Sequence, residues 1–189
     1  ITSPEVSYFD EITPLPSFNL YKVRGVSGVE WAVPLFKGMG TIKTGGKLQQ
    51  VILIGVDDYS LIGQPPKMLH GDWKDIKNTD AIIMDKAGWD YIWPNKPVKL
   101  GTEIELNESR AQIAGICDAS PPFMTVPVIF TKFSNVSKYV PLGRNYTSFI
   151  VAKAKKNISP EELSRKISKE TGLQALTTNE FKERSINHY

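Results

Sequence analysis

The apolar positions along this chain change their period several times, and each change marks an element. Trp31, Val33 and Leu35 alternate with Ala32, Pro34 and Phe36, the rhythm of a strand. Pro34 has no N–H to donate to a neighbour on both sides, so this strand is expected at an edge. Thr41–Thr44 and Lys47–Val56 flank Gly45-Gly46, a link suited to a tight hairpin because both glycines reach positive φ at little cost. Val51-Ile52-Leu53-Ile54 has no polar face and predicts a strand buried on both sides. Ala81–Met84 is another buried strand, followed by a helix capped by Asp85 and stopped by Pro94. Thr102–Leu106 and Arg110–Cys117 predict a second hairpin around Asn107-Glu108-Ser109. Val126–Thr131 reads as a strand and Lys132–Tyr139 as a short helix.

The two ends of the chain have a different character. Residues 1–18 hold Pro4, Pro14 and Pro16 and read as a short amphipathic piece followed by a stiff, extended link. Asn19–Arg24 predicts a short helix stopped by Gly25 and Gly28. Ser148–Ala154 is a strand. Ser159-Pro160-Glu161-Glu162 is a strong helix start, with Ser159 at the N-cap, Pro160 at the first helical position and Glu162 closing a capping box. Leu163 and Ile167 share a face, and Gly172 ends the helix. Leu173–Leu176 is strand-like, and Thr177 with Glu180 opens a last helix. The chain is thus expected to be α+β with two lobes. A small α/β lobe (ββ…βαβ) takes residues 1–58 and 146–189, and a mostly β lobe, 59–145, is inserted in it. Asp57–Lys77, with Gly63, Pro65, Pro66 and Gly71, is the expected crossing between the lobes.

Composition narrows the function. The 189 residues are 41% hydrophobic, enough to bury a core. There are 23 basic and 20 acidic side chains, 23 − 20 = +3, with no basic block of the kind nucleic acid requires. The longest apolar run, Val51–Val56, is far shorter than the about 20 residues of a membrane span. A single cysteine, Cys117, allows no internal disulfide and no cysteine-rich zinc site. The chain opens on Ile1 without a signal peptide and reads as a piece of a longer protein.

Few residues group into recognisable chemistry. Asp57-Asp58 pairs two carboxylates, but neighbours on a strand point to opposite faces. His70-Gly71-Asp72 offers two metal ligands where a catalytic zinc needs three, and the other histidine is His188. Cys117 ends an apolar strand, where a thiol behaves as a small hydrophobe; a cysteine nucleophile would need a positioned base. No GxSxG, P-loop or dinucleotide glycine motif occurs, and Gly38-Met39-Gly40 reads as turn glycines. No enzyme, cofactor or metal is expected. Asn107, Asn135, Asn145 and Asn157 open Asn-x-Ser/Thr triplets, which matter only in a eukaryotic secretory protein.

Two features suggest binding. Trp73, Trp89, Tyr91 and Trp93 either cage a ligand or fill the core of a small lobe, and core filling is favoured because a small lobe lacks apolar area. The Trp73/Trp89/Trp93 cluster makes a solute- or lipid-binding module the alternative function. Ser120-Pro121-Pro122-Phe123-Met124 is the candidate partner-binding loop. Its prolines stiffen the chain, so Phe123 and Met124 either meet a partner at small entropic cost or tuck into the lobe.

The order of several segments resembles a known family. They are 23–32 (Val23-Arg24-Gly25-Val26-Ser27-Gly28-Val29-Glu30-Trp31-Ala32), Val51–Asp57, Asp80–Asp85, Leu100–Asn107, Ala114–Phe123, Ser148–Ala154 and Thr171–Thr177. Together they resemble the large extracytoplasmic domain of bacterial ABC-transporter permeases of the MacB/FtsX/LolC type, most of all the DevC-like branch, over nearly all of 23–181. The resemblance implies a periplasmic domain of an inner-membrane protein, inserted between the first and second transmembrane helices, with the α/β lobe nearest the membrane. It implies a cytoplasmic ABC ATPase acting through those helices, a second permease copy, a periplasmic adaptor protein and an outer-membrane channel as partners. The implied role is to transmit motion driven by ATP hydrolysis to the adaptor or substrate, with no catalytic residue in the domain.

Overall fold

The computed structural model describes residues 1–6, 13–65, 67–119, 126–140 and 145–186, leaving the side chains of Ser185 and Ile186 aside. In chain order the elements are β1 (Leu15–Pro16), α1 (Asn19–Gly25), β2 (Val29–Thr44), β3 (Lys47–Val56), β4 (Met68–His70), β5 (Ala81–Asp85), α2 (Lys86–Ile92), β6 (Glu103–Leu106), β7 (Ser109–Cys117), β8 (Val128–Lys132), α3 (Phe133–Tyr139), β9 (Tyr146–Thr147), β10 (Phe149–Ala154), α4 (Pro160–Thr171) and α5 (Thr178–Ile186). A 3₁₀ turn covers Trp73–Lys77. The fold is mixed α+β.

The chain divides into two units: Ile1–Leu35 with Asn145–Tyr189, and Phe36–Arg144. The boundary therefore falls inside β2 and not after Asp58. The whole β2–β3 hairpin belongs to the inserted unit, because β3 pairs along its length with strands of that unit. Residues 57–77 lie wholly within the inserted unit and make no crossing.

The inserted unit is built on a closed ring of strands. β2 pairs β3, β3 pairs β8, β8 pairs β5, β5 pairs β7, β7 pairs β6, and β6 returns to β2. β4 adds to the outside of the path at β7. Alternation puts Ile42, Val51, Leu53, Ile82, Met84, Leu106, Ile113 and Ile129 in one core. Closure requires small residues where strands crowd. A Cβ on Gly40 would sit 3.1 Å from Leu106 Cδ1 and 3.3 Å from Val51 Cγ2. Gly38 and Gly40 are thus strand glycines of the ring, not turn glycines. Gly45 (φ 53°) and Gly46 (φ 76°) do form the expected two-residue hairpin. Asn107 (φ 45°) and Glu108 (φ 61°) form the same kind of turn without glycine.

The unit of the chain ends has its own core. Val23 and Val26 around α1, Ile150 of β10, and Leu163 and Ile167 of α4 meet in it. β10 pairs antiparallel with the first half of β2, and Pro34 sits opposite Ile150. In that stretch β10 flanks β2 on one side, which accommodates the proline as expected. Ser159 Oγ accepts from Glu162 N at 3.1 Å and caps α4 as expected, but among the described residues the Glu162 side chain does not return a bond to Ser159 N, so the expected capping box is half formed. Gly172, at φ 74°, ends it. Leu173–Leu176 does not form a strand of the sheet; Gln174 alone makes an antiparallel bridge, to Thr2. The opening of the chain contributes that bridge and β1, which pairs β9; residues 7–12 of the expected amphipathic piece lie outside the described residues.

Candidate functional site

The residues with the chemistry most suited to catalysis are committed to the scaffold. Asp57 Oδ2 accepts from Ser60 N at 2.8 Å and Ser60 Oγ at 2.8 Å, holding the turn after β3. Asp58 Oδ1 accepts from Ser134 N at 2.9 Å in the first turn of α3. The pair thus points to different backbone segments. Asp72 caps the 3₁₀ turn and accepts from Lys74 N at 2.7 Å. His70 lies exposed on β4. Among the described residues no three His, Cys, Asp or Glu side chains gather where a metal would bind.

Cys117 is fully buried, and its thiol donates to Met84 O at 3.6 Å. Burial, and after it the charges of Asp85 and Asp118, push this thiol up to about 12, so it stays protonated at neutral pH. Asp85 lies opposite Cys117 across the β5–β7 pair and is 1% exposed. Its Oδ1 accepts from Val128 N at 2.9 Å instead of capping α2. Its Oδ2 has no hydrogen-bond partner among the described residues. Burial pushes the Asp85 carboxyl above the usual carboxylate range, against the lowering effect of the Val128 N–H.

The tryptophans do not converge on a ligand cage. Trp89 is buried, donates through Nε1 to Lys96 O at 3.1 Å, and meets Trp93 at a ring separation of 4.5 Å. Both pack on the ring core with Met84 and Ile129. Trp73 meets Phe130 edge-on at 5.8 Å. Phe130 follows Ile129 on β8 and so faces the other side of the sheet. The three rings therefore serve packing on two faces. Ser120, Pro121, Pro122, Phe123 and Met124 lie outside the described residues.

The concavity among the described residues that the sequence did not point to is in the unit of the chain ends. A groove of about 430 Å³ runs along β10 and is lined by Ala152, Ala154, Leu163, Ile167, Leu176 and Phe181 among others. β10 supplies one wall through its outer edge, the one turned from β2. α4 contributes the same Leu163–Ile167 stripe that anchors it to the core. Phe181 of α5 meets Phe149 edge-on at 6.0 Å. α5 is positioned by a reciprocal cap: Thr177 N donates to Glu180 Oε2 at 2.7 Å, and Glu180 N donates to Thr177 Oγ1 at 3.3 Å. The hydrogen bond from the Thr177 N–H holds the Glu180 carboxyl below its usual range.

The groove is lined mainly by apolar side chains. Residues 3–170 match the model of the MacB-like periplasmic core domain. The chain belongs to this family and is an extracytoplasmic domain of a MacB-like ABC transporter permease. The extracellular domain of the noncanonic ABC-type transporter YknZ from Gram-positive bacteria has a similar fold, with a TM-score of 0.63 and 14% identity over 90% of this chain and 96% of that one. The periplasmic region of MacB from Actinobacillus actinomycetemcomitans is similar with a TM-score of 0.61 and 13% identity, over 95% of this chain and 86% of that one. No curated protein matches the chain in sequence. No described helix is long and apolar enough to cross a membrane.

Proposed function

We propose that the domain is a mechanical relay. It carries motion from the permease's membrane spans, driven by a cytoplasmic ATPase, to an extracytoplasmic adaptor protein that leads to an outer-membrane channel. A second permease copy completes the transporter, and the domain catalyses no reaction itself. The observation that carries this reading is the continuity of β2. This strand is hydrogen-bonded to β10 in the unit of the chain ends and to β3 and β6 in the inserted unit. A displacement of the first unit therefore reaches the second along an unbroken strand. Transmission of this kind needs two states with different contacts, which the membrane spans select.

The experiment is a soft joint in β2. Two glycines inserted between Leu35 and Phe36 keep the facing of the residues on either side, since strand side chains repeat every second residue. In the intact transporter the insertion is expected to leave ATP hydrolysis in place and to abolish export. Export at the unmodified rate, with a melting curve showing the domain folded, overturns the relay.

A further inference from the structure

The groove along β10 lies beside a two-residue strand made by Ile1 and Thr2. Thr2 is paired antiparallel to Gln174: its N–H donates to Gln174 O at 2.9 Å, and Gln174 N donates to Thr2 O at 3.1 Å. Ile1 turns the other way. Its nitrogen donates to Ile150 O at 2.9 Å, and Ile150 N donates to Ile1 O at 2.9 Å. The dipeptide is thus a short strand held between β10 and the segment that leads to α5. In an extended chain the backbone groups alternate sides, so on β10 those of Ala152 point the same way as those of Ile150. On the facing segment those of Leu176 point the same way as those of Gln174. No described residue hydrogen-bonds to the outward N–H and C=O of Ala152 or to those of Leu176. Both residues line the groove, directly beyond Ile1.

We infer that the groove holds the polypeptide that leads into Ile1 in the transporter, as a continuation of the Ile1–Thr2 strand. The first residue before Ile1 pairs with Leu176 and the second with Ala152. The register follows from the two observed pairs, because an antiparallel neighbour advances one residue as its partner retreats one. Small side chains at Ala152, Ala154 and Ala175 leave room for the incoming backbone. This inference rests on the relay reading for the existence of a leading segment and deepens it. A segment clamped between β10 and the base of α5 delivers the pull of a membrane span straight to β10, and from there to β2.

The test is disulfide trapping in the full-length transporter. One variant carries Ala152→Cys with a cysteine at the second residue before Ile1. The reference carries Ile1→Cys with Ile150→Cys, the pair seen directly. Residues opposite each other in antiparallel strands lie within the Cα separation a disulfide spans, about 4.4–6.8 Å. The native Cys117 is buried and gives no background. Oxidation is expected to link the Ala152 variant as completely as the reference. A linked reference with an unlinked Ala152 variant overturns the inference, and an unlinked reference overturns it too, since the strand to be extended is then not formed. Linking is read in the resting transporter, so it succeeds or fails independently of whether motion is relayed during export.

Discussion

Asn107 holds the seam of the ring to Thr41 by two groups at once, its backbone N–H and its side-chain Oδ1. Its backbone N–H donates to Thr41 O at 2.9 Å, and its side-chain Oδ1 accepts from Thr41 N at 2.7 Å. Its Nδ2 donates to Tyr139 O at 2.8 Å, tying the C-terminus of α3 to the same point. The side chain thus prolongs the β6–β2 contact one residue past Leu106 and gives the Thr41 N–H its acceptor.

Asn107→Ala is therefore expected to destabilise the protein by about 2–3 kcal/mol, two hydrogen bonds plus the strain of a positive φ on alanine. Asn107→Gly, which removes the bonds but not the freedom to adopt φ 45°, should cost about 1 kcal/mol less. Urea denaturation of the three proteins separates the two effects. Equal stabilities for the alanine and glycine variants would refute the strain component, and unchanged stability in both would refute the seam.

The buried Asp85 gives stability an inverse dependence on pH. Its carboxyl titrates above the usual range because burial disfavours the charge. Between the unfolded pKa, about 3.9, and the raised folded pKa, the native state binds more protons than the unfolded one. This group's contribution to stability therefore falls as pH rises through that window and is restored on acidification. Asp85→Asn keeps an acceptor for Val128 N and removes the charge. The wild-type minus variant difference in stability should shift in favour of wild type as pH is lowered through the raised folded pKa toward the unfolded one. A difference that stays flat would show that Asp85 titrates normally.

Cys117 is expected to ignore thiol reagents in the native state. Its pKa, pushed to about 12, leaves almost no thiolate at pH 8, and it has no exposed surface. A chromogenic disulfide should react with it only at the rate of global unfolding, and fully in denaturant. Fast labelling of the folded protein would contradict the placement of this thiol.

Gly55 of β3 lies under α3. A Cβ there would collide with Val136 Cγ2 and approach Phe36 Cβ to 3.1 Å. Gly55→Ala should cost about 1–3 kcal/mol through overpacking. The double variant with Val136→Ala should recover part of that loss, because the colliding methyl is gone. A double-mutant cycle checks the coupling. Additive losses would mean that α3 does not rest on this glycine.

Much of the local structure was legible because its causes are local. The Gly45-Gly46 link forms its hairpin from the freedom of two residues, and the Ser159 and Thr177 caps depend on groups three positions away. Asp85 shows where that reasoning stops. It stands at the expected N-cap of α2, yet its carboxylate goes to Val128, 43 positions along the chain. The tryptophans, close in sequence, end on two faces because β8 alternates beneath them. The Leu173–Leu176 run has the composition of a strand but pairs only where Thr2 reaches it.

Periodicity, capping and the order of short segments thus made most of the longer elements, the α+β class and the family legible in the chain itself. The tertiary structure decided the rest. Closure of the ring depends on Ile42 meeting Leu106, and the unit boundary on β2 exchanging β10 for β3 at Leu35–Phe36. The groove exists because Ile1, Ile150 and Gln174, far apart in the chain, come side by side. Such pairings form by closing long loops, and their partners are selected by the fit of the assembled core rather than by any neighbour in sequence.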